Sequence, residues 1–306
     1  MKRRNLAIAS FGAACLIAAG TLFWILSAPH PAFPDRSREL SEPGDPERGR
    51  LVFAAGSCGS CHASPGQSNP LRLGGGMALA SPYGTFRIPN ISPNRKDGIG
   101  AWTSTDLANA LLSGVSPAGE HYYPAFPYTS YARLRVSDVA DLMAYLRTLP
   151  PVSGRAPPHR LTLLFRVRRV LGFWKLMFFH PEPLTPDPAR NELWNRGRYL
   201  VEAAMHCTEC HSSRNVFGAI RKRTEYAGAK DPEGVGYVPN ITPTRIGTWS
   251  EDDLVRMLAT GDTPGHGRVG SSMSDVVNNT AKLPERDRLA IAVYLKSLPP
   301  KPTEKP

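Results

Sequence analysis

The chain has 306 residues, 41% hydrophobic and 21% charged, with 27 Gly and 30 Pro; this excludes a disordered chain and suits two medium domains with much loop better than one large core. Lys and Arg outnumber Asp and Glu by 37 to 26, a formal net charge of +11. No nucleic-acid motif accompanies that excess, so it fits an acidic partner or an anionic surface rather than a nucleic acid.

Residues 2–4 are Lys-Arg-Arg, and residues 6–28 then run 23 positions without a charge, long enough to cross a bilayer as a helix. Residues 1–32 are therefore expected to form an N-terminal transmembrane anchor and its linker. A cleaved signal peptide is the alternative, although its apolar core is usually shorter and Pro29 directly follows the small residues of a cleavage site. In both readings the basic cluster stays in the cytoplasm and the remainder is exported. Cys15 lies inside the apolar run and is read as inert filler.

The other four cysteines form two pairs, Cys58/Cys61 and Cys207/Cys210, each followed directly by a histidine. CGSCH at 58–62 and CTECH at 207–211 lie 149 residues apart, and the text around them repeats in the same order. ERGR at 47–50 matches NRGR at 195–198, IPNISP at 88–93 matches VPNITP at 238–243, IGAW ending at Trp102 matches IGTW ending at Trp249, and AYLRTLPP at 144–151 matches VYLKSLPP at 293–300. One domain is thus written twice, over 33–151 and 190–306, with a basic apolar linker at 152–189.

In each copy the predicted order is a helix before CxxCH, signalled by Asp45-Pro46 in the first, then a short amphipathic helix after the tryptophan, then a final helix. The short helices close at Gly114 and Gly261, and Ser250 with Asp253 reads as a capping box with Asp in place of Glu. The final helices, roughly 137–149 and 285–298, end at double prolines that cannot continue them. Neither copy shows a sustained alternating strand pattern, so the expected fold class is all-α. Between the copies, LTLLFRVRRVLGFWKLMFF at 161–179 reads as a linker helix buried between domains, or as a basic aromatic docking helix.

CxxCH places two thiols one helical turn apart, where they can form thioethers to the two vinyl groups of haem, while the adjacent His offers an axial nitrogen to the iron. A zinc site would need further clustered ligands, and a redox thiol pair would not need His after both motifs. The motifs therefore point to two covalently bound haem c groups, through Cys58, Cys61 and His62 and through Cys207, Cys210 and His211. In the second copy Met273 lies 24 residues beyond Trp249 in GSSMSDV, and its thioether is the candidate sixth ligand. The same spacing in the first copy lands on Phe126, which cannot ligate iron. His121, in the same loop, is the candidate substitute, with Met77 a weaker one; otherwise the iron is open. Asn90 and Asn240, in the two PNI[ST]P segments, either hydrogen-bond haem propionates or belong to rigid turns. Trp102, Trp249, Tyr128 and Tyr131 are expected against haem faces or edges.

The two CxxCH motifs, PNISP and PNITP followed by GIGAW and RIGTW, and the YPAFPY loop resemble the multihaem membrane-bound cytochromes c related to the cytochrome subunits of bacterial alcohol, aldehyde and gluconate dehydrogenases. The resemblance covers nearly everything after residue 45. It implies two tandem cytochrome c-like helical domains that pass electrons from a dehydrogenase toward quinone, another cytochrome or a terminal oxidase. It also implies a place at the bacterial inner membrane, with the haem domains on the periplasmic side. Subunits of that family generally carry three haem domains and often Met in the middle of the YPAFPY-like loop, where this chain has two CxxCH motifs and Phe126. The alternatives are a peroxidase-like dihaem enzyme with an open first iron and, less supported, a haem-based gas sensor.

Overall fold

The computed structural model describes residues 2–33, 40–231 and 236–303; the side chains of residues 2–4, 6, 7, 9 and 164 lie outside the description, the predicted basic cluster among them. In chain order the helices and strands begin with α1 (Lys2–Leu26), α2 (Pro46–Ala55), α3 (Cys58–His62), β1 (Ala78–Ser81), β2 (Gly84–Arg87), α4 (Ser104–Ser113), α5 (Tyr128–Tyr131), α6 (Val136–Thr148), β3 (Arg160–Leu161) and α7 (Val170–Phe178). They continue with α8 (Glu192–Tyr199), α9 (Cys207–His211), β4 (Ala229–Lys230), β5 (Tyr237–Val238), α10 (Pro243–Ile246), α11 (Glu251–Thr260), β6 (Asp262–Thr263), β7 (Gly267–Arg268), α12 (Ser272–Thr280) and α13 (Glu285–Ser297).

The ERGR/NRGR match is explained by a helix crossing built twice. Helix α2 packs on α6, and α8 on α13. A Cβ at Gly49 would lie 2.0 Å from the Asp141 carbonyl oxygen, and one at Gly197 would lie 1.9 Å from that of Ala290. Only glycine lets the backbones come so close. The preceding arginines lock the crossings: Arg48 donates from Nε to Asp141 at 2.7 Å and from Nη2 at 3.0 Å, and Arg196 donates to Asp287 at 2.8 and 2.7 Å. Both carboxylates are buried, so each bidentate, charge-assisted pair satisfies a group that would be expensive to leave alone.

The helix ends follow their local chemistry. Asp45 caps α2 through the N–H groups of Glu47 and Arg48, with Pro46 at the first helical position. Thr103 with Asp106 and Ser250 with Asp253 form reciprocal capping boxes on α4 and α11, which end at Gly114 (φ 59°) and Gly261 (φ 85°). The two copies share a contiguous apolar core that includes Phe53, Leu111 and Met143 from the first and Leu200, Leu254 and Ile291 from the second.

Two features of the predicted fold class are corrected. The chain is not all-α: helix accounts for 46% of it, and among the described residues three small antiparallel sheets, β1-β2-β3, β4-β5 and β6-β7, interrupt the helices. Their strands are two to four residues long, too short for alternation to register in the sequence. The predicted transmembrane helix is also not carried by the structure. The apolar run does form α1, but among the described residues no helix is long and apolar enough to cross a membrane.

The linker at 161–179 forms a 3-10 turn over Leu163–Arg166 and is α-helical only over Val170–Phe178. It contacts the end of α1 and both copies of the repeat. Phe173 meets Phe23 at 4.9 Å and Arg169 lies 3.9 Å over the Trp24 ring, Lys175 donates to the Ser113 and Gly114 carbonyls at the end of α4 at 2.7 and 2.8 Å, and Trp174 Nε1 donates to Phe217 at 2.9 Å. Leu176 and Met177 remain half exposed.

Candidate haem sites

Helices α3 and α9 are single turns that place each pair of cysteines and its histidine together, as the i, i+3 spacing requires. Burial pushes Cys58 and Cys207 up to about 12. Burial raises Cys61 as well, so these three thiols are protonated at neutral pH. Among the described residues no three His, Cys, Asp or Glu side chains converge as ligands for a metal ion on their own.

Both histidines are set by the PN motifs in the same way. His62 Nδ1 meets the Pro89 carbonyl oxygen at 2.8 Å, and His211 Nδ1 meets that of Pro239 at 2.7 Å. A carbonyl only accepts, so each Nδ1 carries the proton and each Nε2 presents its lone pair. This is the tautomer and orientation an axial imidazole needs. Burial lowers the pKa of both rings, and the carbonyl contact opposes it in part, so both are neutral and able to ligate at neutral pH. The donor set fits haem c.

The asparagines beside those prolines do another job. Asn90 Nδ2 donates to the Val152 and Gly154 carbonyls at 2.8 and 2.9 Å, while its Oδ1 accepts from Ser92 N–H at 2.9 Å. Asn240 Nδ2 donates to the Lys301 carbonyl at 2.8 Å and to Thr303 Oγ1 at 3.1 Å, and its Oδ1 accepts from Thr242. Both N–H groups of each buried amide are thus committed to protein acceptors, which leaves none for a propionate. They are clasps that tie the PN loop to the chain beyond the double proline. Trp102 and Trp249 are partly buried against the core, and their carbonyls accept from Arg147 and Lys296, one on each final helix.

The positions expected to complete the two sites differ. Met273 lies in the first turn of α12 rather than in a loop, partly buried against the shared core. Met143 and Met257 are core residues, and Met77 is exposed. Phe126 stands in an aromatic cluster, with ring centroids 5.5 Å from Tyr122, 6.4 Å from Tyr128 and 6.0 Å from Tyr131. His121 is buried, and its Nε2 donates to the Ser27 carbonyl, just past α1, at 2.9 Å; its Nδ1 has no partner. Burial pushes its pKa down to about 4. The contact the structure assigns to His121 is thus to the end of α1, through the nitrogen an axial ligand most often offers.

The sequence reading passed over the contacts between the copies. Asn279 on α12 donates to Ser60 Oγ, inside the first CxxCH, at 2.8 Å. In return, Thr129 Oγ1 on α5 donates at 2.8 Å to Glu209, inside the second, with Ser130 at 3.3 Å and Arg214 closing the carboxylate. Ser60 and Glu209 occupy the same place in the two motifs, so each motif is held by a helix of the other copy. His206, directly before Cys207, packs its ring 6.0 Å from Tyr131, edge to face. Its counterpart before Cys58 is Ser57, and that mismatch within the repeat was the available signal.

The cytochrome c family model matches residues 46–150. A diheme cytochrome c-type protein of Cereibacter sphaeroides is 46% identical over 291 residues, covering 94% of this chain and 97% of its own. A nicotinate dehydrogenase subunit from Pseudomonas putida is 40% identical over 84% of this chain and 21% of its own, and the cytochrome subunit of fructose dehydrogenase from Gluconobacter japonicus is 38% identical over 83% and 52%. This chain therefore spans about half or less of these two dehydrogenase subunits. With paired CxxCH turns, correctly presented imidazoles and near end-to-end similarity to a diheme cytochrome, the chain belongs to the c-type cytochromes, electron-transfer proteins that carry covalently bound haem c.

Proposed function

We propose that the chain holds two haem c groups, one on each CxxCH turn, and relays single electrons outside the cytoplasm from a dehydrogenase to quinone, a second cytochrome or a terminal oxidase. The observation that supports this most directly is the doubled histidine lock, in which Pro89 and Pro239 leave both Nε2 lone pairs available. When bound, haem iron supplies reversible one-electron chemistry. Cys58 and Cys61, and Cys207 and Cys210, hold the groups; His62 and His211 supply the proximal nitrogens. Met273 would offer a thioether to the second haem, a donor that favours ferrous iron and raises the potential. The relatives named as subunits of nicotinate and fructose dehydrogenases support a dehydrogenase as donor.

The test is haem counting by pyridine haemochrome with near-infrared magnetic circular dichroism of the oxidised protein. Two haems, at least one with a His/Met signal, are expected; a single haem would overturn the relay. A second reading draws on one observation. Phe126 stands inside an aromatic cluster and His121 is turned to Ser27, so a haem held by the first CxxCH would lack a sixth ligand from this loop and could take a small molecule, as in a peroxidase-like enzyme. Rapid carbon monoxide binding to one ferrous haem supports that reading, and slow or absent binding removes it.

A further inference from the structure

Tyr131 reaches both haem-attachment segments at once. Its hydroxyl donates to the Gly56 carbonyl at 2.8 Å, two residues before Cys58, and its ring edge meets His206, the residue before Cys207. The ring is 7% exposed, so water does not intervene along its length. Burial pushes the phenol well up, reinforced by the nearby Cys58 and Cys61 thiols; it therefore stays a neutral donor to Gly56. Burial lowers the pKa of the His206 ring, and Glu209 and the Gly56 carbonyl beside it oppose that only in part. Three groups thus meet between the motifs: the backbone that leads into Cys58, the Tyr131 phenol, and the imidazole that leads into Cys207. Asn279 on Ser60 and α5 on Glu209 hold this junction in register from both sides. By the repeat alignment that matches Phe126 with Met273, the counterpart of Tyr131 is Asn278, so the aromatic contact is made once, on one side of the pseudo-symmetric interface.

We infer that Tyr131 and His206 form the contact path along which an electron passes between the two haem sites, entering or leaving through the Gly56–Cys58 backbone on one side and Cys207 on the other. The inference rests on the two-haem relay reading. In each passage one site is oxidised by one electron and the other is reduced by one; Tyr131 and His206 end unchanged, and no proton is transferred. They are positioning residues, because neither is an attachment or axial residue. The aromatic and hydrogen-bonded contacts replace through-space gaps in the path.

The experiment uses the haem-loaded full chain. After photoreduction by a fraction of one electron equivalent, redistribution between the haems is followed optically, alongside potentiometric titration and thermal melting. Tyr131→Phe, which keeps the ring and loses the hydrogen bond to Gly56, is expected to slow redistribution severalfold. Tyr131→Leu and His206→Leu, which remove the ring contact, are expected to slow it further, with both midpoint potentials held near those of the parent. Two bound haems with an unchanged rate in both leucine variants would overturn the path. So would a slowing wholly accounted for by shifted potentials. A preparation with one haem overturns the relay reading instead, and haem counting separates the two failures.

Discussion

The two copies of the repeat are alike wherever the sequence repeats and part where it does not, and the parting falls around the haem sites. The glycine crossing, the proline carbonyl on histidine, the asparagine clasp and the capping box are each built twice, in nearly the same geometry, although Arg196 takes its carboxylate, Asp287, one turn earlier on the final helix than Arg48 takes Asp141. By contrast, the position 24 residues beyond the tryptophan is an aromatic in a cluster of tyrosines in one copy and a helical methionine in the other. The residue before CxxCH is Ser57 in a left-handed conformation (φ 51°) in one and His206 against Tyr131 in the other. One scaffold therefore carries two CxxCH turns with unlike surroundings, an arrangement that would give haems held there different potentials.

The largest expected effect breaks the comparison outright. Cys58→Ala with Cys61→Ala removes covalent haem from the first copy alone, and Cys207→Ala with Cys210→Ala from the second alone, each halving the haemochrome yield. Loss of both haems from either pair would show that the sites do not load independently.

Next are substitutions at the crossings. Gly49→Ala and Gly197→Ala each force a methyl to about 2 Å from a carbonyl oxygen, and each is expected to cost about 1–3 kcal/mol as overpacking, read as a lower thermal midpoint. Equal losses would confirm the symmetry of the two helix pairs; a loss at one only would show that the copies share their structure but not their stability.

Exchanging the unlike positions sharpens the comparison. Met273→Leu is expected to remove the His/Met signal and lower one midpoint potential, while Phe126→Met is expected to give the first copy a methionine signal. An unchanged spectrum in Met273→Leu would rule out Met273 as a ligand. The smallest expected effect is at the caps. Thr103→Ala and Ser250→Ala each lose one reciprocal capping box, at about 1 kcal/mol, measured by chemical denaturation.

Much of the site was legible because attachment chemistry is local. Two thiols and an imidazole must sit within one turn, so CxxCH is visible in five residues, and repetition showed that it occurs twice. The capping boxes and glycine stops were legible for the same reason. The PN motif was visible as a repeat but not as a mechanism. Its proline carbonyl acts on a histidine 27 residues away and its asparagine on a carbonyl more than 60 away, and nothing in the spacing names those partners. His121 stands out in the sequence because it shares a loop with Phe126; the structure turns it to Ser27, a partner 94 residues distant. The short strands went unseen because two to four residues carry too little periodicity, and the N-terminal run reads as a span from its hydropathy alone.

By itself, then, the sequence determined which residues form the CxxCH turns, that the unit is written twice, and where the principal helices begin and end, because those depend on neighbours within a few positions. Tertiary structure alone decided which nitrogen each histidine presents, what Asn90, Asn240 and His121 bind, and how each CxxCH is held by the other copy. Those outcomes are contacts between segments tens to more than two hundred residues apart, as between Ser60 and Asn279, and they exist only once the chain has closed on itself.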